Sequence, residues 1–348
     1  MMGGVAASLQ ERAGRSLREI WHGARGLLPL WASLCVGLSL ATSAPAADRI
    51  RIAAQKTGTL AWELEIIRAH GLDKAADLDI QVVELASTEA GRIALASGSA
   101  DMIVSDWLWV ARERSLGAKL VYYPYSSTLG AVMAPAASEI AGVADLKGKK
   151  LAIAGGPLDK SWLMLQAAAR RGGLDLKNEA KIVFGAPPLL TQKALQGENE
   201  ATLTFWNFCA ELEGKGFKRA IDMEAVEKQL GAGGPVALIG YAFDADWAAK
   251  NKSAVDRFLE AAAKAKNILA TSQAEWQRLA PRIGVTDKAA LEIYRKRYSE
   301  GIPRRPVADE ERDSRALYQV LAEIGGTNLV GAAREMDKGT FYDPGKSD

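Results

Sequence analysis

Residues 152–173 read AIAGGPLDKSWLMLQAAARRGG: a short apolar run, a Gly155-Gly156-Pro157 turn, and an amphipathic stretch that closes on Gly172 and Gly173. Passage from an apolar run through glycine and proline into a 3.6-residue period marks a strand feeding a helix, with Asp159 at the capping position. Such a turn can hold a phosphate, present an activated serine, or hold a small ligand unchanged. The glycines lack the four-residue spacer and the Gly-Lys-Ser/Thr of a phosphate loop. Ser161 is not flanked as Gly-x-Ser-x-Gly, so the nucleophile elbow fails too. What survives is a helix N-terminus whose free N–H groups and Ser161 hydroxyl can donate to an electron-rich group, or an ordinary turn in which Asp159 only caps the helix.

The same unit repeats on both sides. RIRIAAQ (49–55), DIQVVEL (79–85) and DMIVSD (101–106) read as strands, separated by helical patterns over 62–70 and 89–97. After a small-residue and proline stretch at 124–147 the rhythm restarts with KLAIAGG, KIVFGA (181–186) and ATLTF (201–205). This alternation predicts an α/β fold of mainly parallel sheets flanked by helices, with ligands outside the carboxyl ends of the strands. Two extended runs, at 124–147 and at PVALIGYAFD (235–244), read as crossings between lobes. The expected organisation is one lobe from 48–130 completed by a mostly helical return over 238–348, with a second lobe from 131–237. Two sequential domains split near residue 145 would also fit the pattern.

Residues 1–47 differ from the rest. Arg12, Arg15, Arg18 and Arg25 precede the apolar run LLPLWASLCVGLSLA (27–41), and Ala44-Pro45-Ala46 has the small-x-small pattern of a cleavage site. This predicts a secretory signal peptide and a periplasmic protein. Removing it takes four arginines and two glutamates from totals of 44 basic and 42 acidic residues, leaving 40 of each. The neutral remainder carries no nucleic-acid footprint. It keeps one cysteine, Cys209, and one histidine, His70, too few for a His/Cys zinc site or a disulfide.

The strand ends carry the candidate site. Thr57, Thr59 and Trp62 follow the first strand, Ser105, Asp106 and Trp107 the third, Gly155, Gly156, Asp159, Ser161 and Trp162 the opening turn, and Trp206 with Asn207 the strand ATLTF. Four tryptophans beside hydroxyl, amide or carboxylate groups predict a tryptophan-lined pocket. Trp109, Trp247 and Trp276 read as core. Asp106 and Asp159 read as caps and ligand hydrogen-bond acceptors rather than an acid/base pair.

The stretches ALASGSADMIVSD (94–106), RERSLGAKLVYY (112–123), VADLKGKKLAIAGG (143–156), RRGGLDL (170–176) and EATLTFWNFCAELEGKGFK (200–218), in that order, resemble the periplasmic substrate-binding proteins of ABC importers. The class is the nitrate, sulfonate and taurine one (SsuA/THI5-like). The resemblance implies a type II two-lobed fold closing on a small-molecule ligand at the hinge, no cofactor, no catalysis, a monomer, and delivery to an ABC permease driven by its ATPase. It places contacts on Thr57 to Trp62, Ser105 to Trp107, Gly155 to Trp162, and Trp206 with Asn207. The chain departs from the class in Asp-Trp-Leu-Trp at 106–109, and the first-lobe contact stretches 57–62 and 105–107 hold no Lys or Arg, leaving Lys160 as the nearby cation. An organic ligand with an aromatic or cationic part therefore fits better than nitrate. The competing readings are a binding or sensor protein without a transporter, and a pyrimidine-synthase-like enzyme, which would need more than one histidine and one cysteine.

Overall fold

The computed structural model describes residues 47–56 and 58–345; the expected signal peptide, apart from Ala47, lies outside them, as does Thr57. The first strands and helices are β1 (Asp48–Gln55), α1 (Thr59–Ala69), α2 (Leu72–Ala75), β2 (Leu78–Leu85), α3 (Thr88–Ala96), β3 (Met102–Asp106), α4 (Trp107–Ser115) and β4 (Leu120–Ser126). There follow β5 (Ala131–Pro135), β6 (Lys150–Ala154), α5 (Lys160–Arg171), α6 (Leu176–Glu179), β7 (Lys181–Gly185), α7 (Pro187–Leu195), β8 (Ala201–Thr204), α8 (Trp206–Glu213), β9 (Phe217–Asp222) and α9 (Met223–Leu230). The chain ends through β10 (Ile239–Asp244), α10 (Ala245–Lys250), α11 (Lys252–Thr271), α12 (Gln273–Ile283), α13 (Lys288–Glu300) and α14 (Val307–Val330), the last broken at Gly326.

Two five-stranded sheets result, in the orders β2-β1-β3-β10-β4 and β7-β6-β8-β5-β9. β1 runs parallel to β2 and β3, with Ile50 opposite Ile80 and Ile52 opposite Met102. β6 likewise runs parallel to β7 and β8, with Ala152 opposite Val183 and Thr202. The fourth strand of each sheet is the antiparallel one: β10 pairs β3 and β4, and β5 pairs β8 and β9. These two strands are exchanged. Each enters directly from the other lobe, without the crossover helix that a parallel entry requires, so it runs against its neighbours. The sheets are mainly parallel, as expected, with that one reversal in each.

Aspartates start many of the helices. Asp106, Asp159, Asp222, Asp244 and Asp287 accept first-turn N–H bonds from α4, α5, α9, α10 and α13, satisfying donors that a helix cannot satisfy itself. The helices bury their apolar faces on the sheets, as where Ile50, Ile52, Ile66, Ile67, Phe243 and Phe258 pack together.

The chain passes between the sheets at 127–130 and 231–238, and both passages are braced by the segment around α13 and α14. The Ser127 N–H donates to the Gly301 carbonyl at 2.8 Å. A Cβ on Gly130 would lie 1.7 Å from the Thr204 carbonyl oxygen, so only glycine fits there. At the second passage Glu310 accepts from the Ala237 N–H at 2.8 Å, Glu227 accepts from the Val236 N–H at 3.3 Å, and the Tyr122 hydroxyl donates to the Ala237 carbonyl. Both glutamates are buried. Burial raises both carboxyls above the ordinary range, Glu227 well above it, because their N–H partners only partly offset the loss of water. α13 packs on α8, and α14 packs on α4, α5 and α9, so the return segment touches helices of both sheets.

Candidate functional site

A cavity of about 530 Å³ opens where the carboxyl ends of the two sheets face each other. Its wall is built from the first turns of α1, α3, α5 and α8, from Ser105 and Asp106 ending β3, and from the passages through Leu129, Gly130, Leu238 and Ile239. Small hydroxyl and amide side chains and backbone N–H groups therefore alternate with an aliphatic wall.

One end of the cavity is charged. Asp106 caps α4, its Oδ1 accepting the Trp109 N–H at 2.9 Å, while Oδ2 accepts from Arg92 Nη2 and Lys160 Nζ, each at 3.1 Å. Lys160 comes from the other lobe, so this ion pair bridges the cleft. Arg92 also donates to Ser105 Oγ at 3.2 and 3.3 Å and lies 4.8 Å from the centre of the Trp109 ring. Burial pushes the Asp106 carboxyl up, but Lys160, Arg92 and the Trp109 N–H together outweigh it and hold the group below the ordinary aspartate range. Asp159 has the opposite balance: burial raises it, and its Trp162 N–H partner and Lys160 do not compensate.

The other end is neutral and rich in donors. Gly58 and Phe205, the capping residues of α1 and α8, make no side-chain cap. The first α8 N–H to reach a carbonyl is that of Cys209, on Phe205 at 2.9 Å, so those of Trp206, Asn207 and Phe208 have no acceptor within the helix. Thr59, at the first position of α1, lines the same end, and its Oγ1 accepts from the Tyr125 hydroxyl at 3.1 Å.

Of the expected site residues, the cavity brings together Thr59, Ser105, Asp106, Asp159, Ser161, Trp206 and Asn207. It does not bring in Trp62, Trp107, Trp162, Gly155 or Gly156, and Thr57 is outside the described residues. The tryptophan-lined pocket is corrected accordingly: only Trp206 lines the cavity. Trp107 is fully buried against Tyr318, Trp162 packs on Phe184, and Trp62 packs between Trp206 and Trp276. A large ring just inside a helix start gains most by turning into the core, which leaves the cleft to the cap and its small neighbours. Gly155 serves the turn itself; its φ of +88° is a left-handed conformation that a side chain would strain. The expectation that Lys160 is the nearby cation is also corrected by Arg92. It sits within EAGRIALAS, and nothing in that stretch separates a cleft-facing arginine from a solvated one.

The described cysteine and histidine lie outside the cavity. The Cys209 thiol is buried and its pKa is pushed up to about 12 by burial. His70 pairs with Glu275 at 3.1 Å, away from the cavity. Among the described residues no helix is long and apolar enough to cross a membrane.

A family model described as NMT1/THI5 like matches residues 68–275, more than half of the chain. The chain belongs to this family. Among solved structures it is similar to the periplasmic aliphatic sulphonate binding protein SsuA from Escherichia coli, with 21% identity, a TM-score of 0.66, and coverage of 86% of this chain and 95% of that one. It is also similar to the alkanesulfonate-binding protein SsuA from Xanthomonas axonopodis pv. citri bound to MOPS, with 20% identity, a TM-score of 0.60, and coverage of 84% and 96%. A third similar structure is the desulfurization enzyme DSZB, with 13% identity, a TM-score of 0.56, and coverage of 84% and 96%. These likenesses establish the two-lobed α/β fold. No curated protein matches the chain by sequence.

Proposed function

We propose that this NMT1/THI5-like protein is a periplasmic solute-binding protein that captures a small organic oxyanion, a sulfonate being the leading class, and delivers it to an ABC permease. The observation that carries the reading is the pair of uncapped helix starts, α1 and α8, one from each lobe, lining one end of the same cavity. Backbone N–H groups aimed into a cavity favour an anion without the desolvation cost of a buried lysine. The head group would sit at Thr59, Trp206 and Asn207, and the organic part would lie along Leu129, Leu238 and Ile239. The residues 48–130 with 238–348 would form one body and 131–237 the other, closing about the passages at 127–130 and 231–238, in a monomer. The ligand would be bound and released unchanged, since Cys209 is a poor nucleophile and His70 is remote.

The test is a thermal-shift and calorimetric screen of the mature protein with hexanesulfonate, taurine, MOPS and hexanol. A ligand at 100 times its Kd should add about 2.7 kcal/mol of apparent stability. Stabilisation by the sulfonates and not by hexanol is expected; no response to any sulfonate would sink the proposal.

A further inference from the structure

Beneath the donor end lies a closed ring of four aromatic side chains. Trp62 meets Trp206 at 6.1 Å between ring centres, Trp206 meets Tyr298 at 6.4 Å, Tyr298 meets Trp276 at 5.6 Å, and Trp276 returns to Trp62 at 5.9 Å. Only Trp206 faces the cavity. Trp276 satisfies its indole N–H on the Leu269 carbonyl at 2.6 Å. Trp62 does not: it is more than nine-tenths buried, and its Nε1 has no hydrogen-bond partner among the described residues. Beside it the Tyr125 hydroxyl donates to Thr59 Oγ1 and pairs with the Tyr298 hydroxyl. The one donor left open behind Thr59 and Trp206 is thus the Trp62 indole N–H.

Native structures keep a buried unpaired donor rarely, and one that persists calls for an occupant the protein itself does not supply. Here one persists in the aromatic ring, and a single side chain, Trp206, separates it from the ligand cavity. We infer that Trp62 Nε1–H is a ligand-specificity donor, reached when the Trp206 ring turns aside, and that it donates to an oxygen of the ligand's oxyanion head. This rests on the oxyanion reading above. The Trp206 ring then acts as the movable floor of the donor end, and the head group binds one layer deeper than the exposed N–H groups alone would allow.

Trp62→Phe deletes the donor and keeps an aromatic ring, and Tyr298→Phe, which removes a hydroxyl that Tyr125 already partners, is the control. Calorimetry with hexanesulfonate and the Trp62 indole N–H resonance, assigned by its loss in Trp62→Phe, read the outcome. The expected result is an affinity about tenfold lower in Trp62→Phe and unchanged in Tyr298→Phe, with the Trp62 indole resonance of the wild type shifting when hexanesulfonate binds. Equal affinity in the wild type and Trp62→Phe overturns the inference and leaves the proposed function standing. An indole resonance that does not move when hexanesulfonate binds also overturns it, because the donor would then be structural. If the wild type binds no sulfonate, the proposed function fails, and dimethyl sulfone, a neutral acceptor, decides between the two. A shift of the Trp62 indole resonance on its addition keeps the donor site, and no shift removes it.

Discussion

The two ends of the cleft use the same local device, a strand running into a helix start, and reach opposite electrostatic results. At the charged end the caps are aspartates, and Asp106 gathers Arg92, Lys160 and the Trp109 N–H around one carboxylate. At the donor end the capping positions are Gly58 and Phe205, which have no side-chain acceptor to offer, so the N–H groups stay open. The difference is a matter of one residue per helix. Where the chain supplies its own carboxylate the donors are satisfied; where it supplies none, they stay open, which is what the proposed anion would use.

The largest effect is expected from Asp106→Ala, which strands Arg92 and Lys160 and uncaps α4. Breaking a mostly buried ion pair of this kind costs about 3 kcal/mol, measurable by urea unfolding, whereas Asp106→Asn should cost less because an amide still caps. A loss below about 1 kcal/mol in the alanine variant, the size of an exposed pair, would mean that the ion pair does not hold the charged end together. Next comes Trp206→Ala, which removes the aromatic wall of the donor end. Hexanesulfonate affinity should fall roughly thirtyfold, the size of a binding hot spot of about 2 kcal/mol; an unchanged Kd would move the head group to the charged end. Thr59→Val, which deletes one hydroxyl and leaves the backbone N–H groups, should cost about 1 kcal/mol of binding.

The smallest effect is one of slope. The folded-state pKa of Asp106 is depressed, so its contribution is present above the ordinary aspartate value of about 3.9 and lost as pH falls through the folded one. Glu227 and Glu310 are raised, so they contribute the reverse: full stability below about 4.3, lost as pH rises through their folded values. Unfolding free energies from pH 3 to 8 should therefore lose part of their acid-side fall in Asp106→Asn and part of their alkaline-side fall in Glu310→Gln. Identical pH profiles for both variants and the wild type would contradict the assignment of the two sites.

The alternation of strands and helices was legible because many helix starts are marked by an aspartate, a glycine or a serine and most strands by an apolar run, as in KLAIAGG before Asp159. The residues at the helix starts, the caps Asp106 and Asp159 and the first-turn residues Thr59, Ser161 and Asn207, were legible for the same reason: a helix start must stand at the strand end, where the cavity is. The tryptophans were not, because proximity in sequence to a strand end says nothing about which side of the helix a ring takes. Trp107 and Trp162 follow their caps closely and turn into the core, against Tyr318 and Phe184, while Trp206 lines the cleft. Arg92 was invisible because its role depends on Asp106, fourteen residues away and on a different element. The reversal of β5 and β10 follows from which lobe the chain has just left, a property of the path rather than of any residue in the strands.

That exchange bears on how the molecule is made. All five strands of the second sheet lie within 131–222 and can assemble as soon as they exist. The first sheet waits for β10, which inserts between β3 and β4 and is complete only at Asp244. A chain that emerges from its N-terminus therefore carries the facing edges of β3 and β4 unpaired until most of it has appeared, and such edges invite pairing with other chains. The first lobe to be synthesised is the last to close, and this interval is when the protein most needs to be kept from its neighbours.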